Sequence, residues 1–219
     1  MVFFFTSSHG HTLYMGKDKY ENEDLIKYGL DLDVWFHVES LSSAHVYLRQ
    51  REGESKKLDD LDPALLNECA QLVKANSIEG SKLKQCGVVY TRWANLKKTG
   101  DMAVGQIGYH DIKKQRQILV VKDKAVVNDL NRTKTETYPD LRAVQEERMA
   151  ILRAEKTAAK REQTQREKEE RKAREEAAEL RSYKSLFEGP VTEAAAVSNK
   201  GVAASVDQSA AEEFEDDFM

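Results

Sequence analysis

At 219 residues the chain is long enough for one good-sized domain with appendages, and it is 40% hydrophobic and 33% charged, a mixture that averages a foldable part with a highly charged one. The net charge of -4 argues at first against a polyanionic partner, yet residues 1–80 carry 8 Lys+Arg against 14 Asp+Glu, a net -6, whereas 81–134 carry 12 against 4, a net +8. Local charge governs phosphate binding, so a nucleic-acid partner stays open. Two features exclude other classes: Cys69 and Cys86 show no metal-ligand spacing, and no apolar run approaches the ~20 residues of a membrane-spanning helix. With no secretory signal at Met-Val-Phe-Phe-Phe-Thr, a soluble cytoplasmic or nuclear protein with reduced thiols is expected.

In chain order, Val2–Phe5 and Leu13–Met15 predict an opening hairpin. His9 and His11 lie in its loop, without a third ligand nearby for a metal. Asn22 predicts a helix N-cap, followed by Glu23 and Asp24 in the first turn, Leu25 and Ile26 as packing residues and Gly29 as the stop. Val34–Val38 and His45–Arg49 alternate as a second hairpin. Asp62-Pro63 opens a helix whose Leu65, Leu66, Cys69, Leu72 and Val73 recur at helical spacing. Gly87–Thr91 predicts a strand, and Val104–Tyr109 with Gln117–Val121 a further hairpin. These elements make an α+β domain, residues 1–139, with a mainly antiparallel sheet and packed helices.

From Asp140 to Tyr183 there is neither proline nor glycine, and Glu162–Arg166, Glu167–Arg171 and Glu170–Arg174 have i,i+4 spacing. One long charged helix over 140–188 follows, ~66 Å if its first 44 residues are continuous. Leu141, Val144, Ile151 and Leu152 are placed to dock or dimerise its first turns. From Arg153 to Ala178 every apolar residue is alanine, too small for coiled-coil core positions, so a solvated single helix is expected. Residues 189–219, ending Glu-Glu-Phe-Glu-Asp-Asp-Phe-Met, predict a disordered acidic tail.

Alternation also sets the candidate site. Trp35 and His37 share one strand face, His45, Tyr47 and Arg49 another, and a suitable register unites them on the less apolar side of the sheet. Aromatic rings there would stack on bases, and cations would hold phosphates. If the protein were an enzyme, His37 and His45 would be its acid–base pair, but no orienting carboxylate or nucleophile forms a motif with them. Lys17 and Ser43, Lys74 at a helix end, Lys82 and Lys84 beyond it, and Arg92, Trp93, Lys97 and Lys98 in a loop complete the nucleic-acid set. No P-loop, GxGxxG, HExxH or GxSxG occurs, and no cofactor is implied.

At these residues the sequence resembles the NFACT-R (DUF814) family, and over its length a stand-alone eukaryotic form of it. The resemblance rests on Tyr14-Met-Gly-Lys-Asp-Lys-Tyr-Glu-Asn-Glu-Asp-Leu-Ile-Lys27, Asp33-Val-Trp-Phe-His-Val38, Leu41-Ser-Ser-Ala-His-Val-Tyr-Leu-Arg49, Leu72-Val-Lys-Ala-Asn-Ser77, Asn95-Leu-Lys-Lys98 and Gly105-Gln-Ile-Gly108, with Glu179-Leu-Arg-Ser-Tyr-Lys-Ser-Leu186 and the Phe-Met ending matching the stand-alone form. Larger members join the domain to an N-terminal partner and work with tRNA on stalled ribosomal subunits. The resemblance therefore implies RNA binding near tRNA or the ribosome, without the peptide-tailing of those members. It maps the family's motif residues to Gly16, Lys17, Asn22, His37, Ser43, His45, Arg49 and Lys74, with Ala44 where many members carry glycine. The expected function is a non-enzymatic RNA-binding module in translation quality control, with RNA preferred over DNA and a protein partner open to residues 140–219. A histidine-dependent hydrolase of RNA or peptidyl-tRNA and a scaffold acting through helix and tail are the alternatives.

Overall fold

Strand alternation and two apolar helix faces resolve into one sheet covered on both sides. The computed structural model describes residues 1–181, and its elements are β1 (Val2–Thr6), β2 (Thr12–Gly16), α1 (Lys19–Lys27), β3 (Asp33–Val38), β4 (Val46–Arg49), α2 (Pro63–Ala75), β5 (Gln85–Arg92), β6 (Leu96–Lys97), β7 (Gly108–Tyr109), β8 (Arg116–Val121), α3 (Lys124–Arg132), β9 (Thr135–Thr137) and α4 (Leu141–Arg181). Seven strands form an antiparallel sheet in the order β8-β5-β3-β4-β2-β1-β9, and β6 with β7 forms a separate two-stranded ribbon. The α+β architecture is as the element pattern predicts.

On the rear face Val34, Phe36, Val46, Leu48 and Val88 pack against Leu65, Leu66, Cys69, Leu72 and Val73 of α2, with Leu130 of α3 in the same cluster. This is the helical face read from spacing alone. On the front face Val2, Tyr14, Trp35 and Tyr47 meet Leu25 of α1, Leu96 of β6, Tyr109 of β7 and Leu141 of α4. The side expected to be the wetter one is thus roofed by α1, the ribbon and the first turn of α4. Register explains the grouping: Trp35 pairs with Tyr47 and Asp33 with Arg49 across β3 and β4, and Tyr14 pairs with Tyr47 across β2 and β4.

Local chemistry shifts one of three expected boundaries. The α1 cap is Asp18, whose carboxylate accepts from the Tyr20 and Glu21 amides at 2.9 and 3.0 Å. Asn22 is instead a buried residue of the second turn, accepting from the Tyr47 hydroxyl at 3.0 Å. Gly29 follows the Tyr28 cap and lies against Trp93, where a Cβ would run into the indole. At α2 the expected Asp62-Pro63 start is observed, with Asp62 accepting from the Ala64 amide at 2.7 Å.

The predicted hairpin of Val104–Tyr109 with Gln117–Val121 does not form. Only Gly108–Tyr109 is strand, paired with Leu96–Lys97, while β8 pairs with β5. Gly105, at φ +84, breaks the extended path within Val104–Tyr109. Helix α3, absent from the predicted elements, is capped by Asp123 and buries Leu130.

The compact unit runs from Met1 to Thr157 and includes the start of α4. Gln145 Nε2 donates to the Gly29 carbonyl at 3.0 Å, and Arg148 Nε bonds Asp31 at 2.9 Å while a second nitrogen meets Glu52. From Ala158 to Arg181 the helix is exposed throughout. Its ion pairs run from Arg166 to Glu170, Arg171 to Glu175 and Lys172 to Glu176, the reverse of the predicted orientation for both arginines. Each of those arginines has a glutamate on either side, and exposed pairs differ too little in energy to enforce one choice. The predicted helix end, the tail and the Ser182–Leu186 part of the family segment lie outside the described residues.

Candidate nucleic-acid interface

Two centres divide the front face. At one end Asp33, fully buried, is held by Arg49 Nε at 3.0 Å, the Tyr14 hydroxyl at 2.7 Å and the Leu30 amide at 2.7 Å. Arg49 also lies over the Tyr14 ring, which stacks on Tyr47 with centroids 5.0 Å apart. Burial pushes the Tyr14 and Tyr47 phenols well above their ordinary range, and the Asp33 charge adds to it, so both remain protonated donors. Arg49 and Tyr47 therefore complete an internal network rather than an exposed strip.

At the other end β3 and the loop before β4 place two imidazoles beside a cleft of about 600 Å³. Their ring centroids are 4.9 Å apart. His37 Nδ1 lies 2.7 Å from the Val38 carbonyl, an acceptor, so that nitrogen carries the proton and Nε2 is left as an acceptor. His45 has the complementary tautomer, because Trp35 Nε1–H donates to its Nδ1 at 2.9 Å. Burial, reinforced by the charge of His37, pushes the His45 pKa down to about 3, against an opposing hydrogen bond with the Gly105 backbone. Burial lowers His37 too, partly offset by its bond to Val38. Both rings are neutral at neutral pH.

The loops that frame the cleft are tied from below. Ser43 Oγ accepts from the Val38 amide at 3.1 Å, and Ser77 Oγ donates to the Ser42 carbonyl at 2.6 Å. Lys98 Nζ donates to the carbonyls of Ala103 and Gln106, each at 2.9 Å, and pairs with Glu23 at 2.8 Å; the Gly105 amide donates to the same carboxylate at 2.6 Å. Burial by itself would raise the Glu23 carboxyl, but these bonds outweigh it and hold it below its ordinary value.

The predicted residues now separate. Lys17, His37, Ser43 and His45 border the cleft, and Lys17 is exposed. Trp35 is enclosed, serving as donor to His45 and stacking on His37. Lys74 is buried, with Nζ donating to the Gly80 carbonyl at 2.8 Å, so it closes the turn after α2. Arg92 donates to the Lys56 and Ser55 carbonyls, and Trp93 to the Ile26 carbonyl at 2.8 Å. Lys98 is the loop clamp. Lys82, Lys84 and Lys97 are exposed and do not border the cleft. Spacing missed Lys19, which does border it, as does Asn76 of the family segment Leu72–Ser77; for Asn22 only the family motif gave a signal. Six of the eight family motif positions, Gly16, Lys17, Asn22, His37, Ser43 and His45, meet there. His11 Nε2 pairs with Glu54 at 2.8 Å instead. Among the described residues no group of three or more ligands is placed for a metal, and no helix is long and apolar enough to cross a membrane.

Comparison with known proteins points the same way. The profile of a family described as the NFACT protein RNA binding domain matches residues 1–111. Coiled-coil domain-containing protein 25 of Bos taurus is 55% identical over 193 residues, covering 85% of this chain and 91% of its own length, and the Mus musculus protein of that name is 54% identical with the same coverage. Protein JLP2 of Saccharomyces cerevisiae is 36% identical over 151 residues, 65% of this chain and 72% of the yeast protein.

Proposed function

The chain belongs to the family of NFACT protein RNA-binding domains, and from that premise we propose that it binds nucleic acid, RNA rather than DNA, at the cleft and the two lysines that border it. One observation carries the reading: six family positions, drawn from β2, the loop after it, α1, β3 and the loop before β4, border a single cleft. Exposed Lys17 and Lys19 supply phosphate contacts, and the net +8 of residues 81–134 adds long-range attraction. The finer setting, tRNA or the ribosome during quality control of stalled translation in the cytoplasm, belongs to the same proposal and rests on the family resemblance alone.

A histidine-dependent hydrolase would use the same pair. It would need its imidazoles to take and give a proton near neutral pH, whereas burial lowers both and holds His45 at about 3. A scaffold acting through α4 would need an apolar stripe, and from Arg153 to Glu179 the helix has nothing apolar larger than alanine.

The test is fluorescence anisotropy with labelled single-stranded RNA across a salt series. Substituting Lys17→Ala with Lys19→Ala is expected to weaken binding and flatten the log–log salt slope by about 1.4, roughly 0.7 for each single-strand phosphate that a lysine no longer neutralises. Absence of RNA binding by the intact chain, or unchanged affinity and slope in the variant, overturns the proposal.

A further inference from the structure

Resting on that reading, we infer that the cleft takes one unstacked nucleobase, read on its hydrogen-bonding edge by Asn22 and His37, while the phosphate stays outside with Lys17. Asn22 supplies the first observation. It borders the cleft while only 5% exposed, its Oδ1 is occupied by Tyr47, and its Nδ2 has no hydrogen-bond partner. A buried amide donor without a partner is destabilising, a cost that a ligand acceptor removes.

His37 supplies the second. The Val38 carbonyl fixes its proton on Nδ1, so Nε2 offers a lone pair. His45, with Nδ1 filled by Trp35 and the ring facing the Gly105 backbone, holds His37 in place from the side. A fixed donor and a fixed acceptor bordering one cleft, both uncharged, complement the edge of a nucleobase, which carries donors and acceptors side by side. They do not complement a phosphate, which offers acceptors alone.

The lining supplies the third. Ile78 and Val104 border the cleft while 77% and 47% exposed, apolar surface that a flat ring would cover. A paired base hides its edge and its faces, so the cleft selects single strands.

The experiment compares one labelled single-stranded RNA, the same strand with abasic sugars, and a fully paired hairpin, using the full chain. The base-bearing strand is expected to bind at least about tenfold more tightly than the abasic one, with the hairpin near the abasic value. His37→Asn keeps a donor for the Val38 carbonyl and deletes the Nε2 acceptor; Asn22→Ala deletes the amide. Each should reduce the ratio of base-bearing to abasic affinity by roughly three- to tenfold, about one neutral hydrogen bond. Should Asn22→Ala fail to fold because Tyr47 loses its acceptor, His37→Asn decides. Equal affinity for base-bearing and abasic strands, or a ratio unmoved by His37→Asn, overturns the inference and leaves RNA binding standing. No binding to either strand overturns the underlying reading and the inference with it.

Discussion

Behind the sheet, Phe36, Val46 and Leu48 meet Leu65, Cys69 and Val73 through apolar surface; in front, Tyr14, Asp33, Trp35, His45 and Tyr47 are buried too, but each brings a polar atom that needs a partner. Apolar packing asks for the right volume and tolerates many fillings. Polar packing asks for the right atom in the right place, and an unmet request is costly. The front face meets nearly all of its requests at the Asp33 end. At the cleft it leaves Asn22 Nδ2 unpaired and His37 Nε2 as a spare acceptor, and there a ligand can enter.

The strongest way to break this contrast is Asp33→Ala. It strands the Arg49 guanidinium and the Tyr14 hydroxyl together, and urea denaturation should show a loss of about 3–5 kcal/mol. Its counterpart, Leu48→Ala, should cost about 2–5 kcal/mol by leaving a cavity. The isosteres then separate the faces. Leu48→Met should lose less than about 1.5 kcal/mol, whereas Asp33→Asn, equal in shape, should lose more because it cannot accept from Arg49 and Tyr14 on both oxygens. Similar losses for the two isosteres would erase the distinction.

Protonation sharpens it further. The folded state holds His45 at about 3, below an unfolded value near 6.5. As pH falls below about 6.5 the unfolded chain takes up a proton that the native chain refuses. Stability contributed by neutral His45 is therefore full above about 6.5 and is lost as pH drops toward 3, at about 1.4 kcal/mol per pH unit. Between pH 7 and 5, before carboxylates with ordinary values titrate, the intact protein should lose stability and His45→Asn should lose much less. Parallel curves would show that His45 is not the group responsible.

The smallest expected effect concerns two adjacent lysines. Lys97 is exposed and Lys98 is committed to Glu23 and two carbonyls. In RNA titrations Lys97→Ala should lower the salt slope by under one. Lys98→Ala should instead cost at most about 1 kcal/mol of stability and speed amide hydrogen exchange at Gly105, whose N–H bonds Glu23.

Much of the rear face was legible because a single period reports it: Leu65, Leu66, Cys69, Leu72 and Val73 point one way whatever lies opposite. Strands β1 to β5 and β8 were legible for the same reason, β6 and β9 were not, and the family motif marked six cleft residues without showing why they belong together. The front face was not legible. Alternation places Trp35, Tyr47 and Arg49 on one side, but the pattern of an exposed aromatic and cationic strip is also that of an enclosed polar network; α1, the β6–β7 ribbon and α4 choose between them. Lys74, Arg92 and Lys98 read as phosphate ligands because a cation in sequence carries no record of which carbonyl it will meet.

The chain by itself determined most strands of the main sheet, which helix face is apolar, where positive charge gathers and which family it joins, since these depend on residue type and near neighbours. Tertiary structure decided which side of the sheet is roofed, which cations are spent internally, the tautomer of each histidine, and the survival of an open cleft at one end of an otherwise filled face. Those outcomes depend on atoms from segments remote in sequence coming within hydrogen-bond reach, and no local pattern encodes that distance.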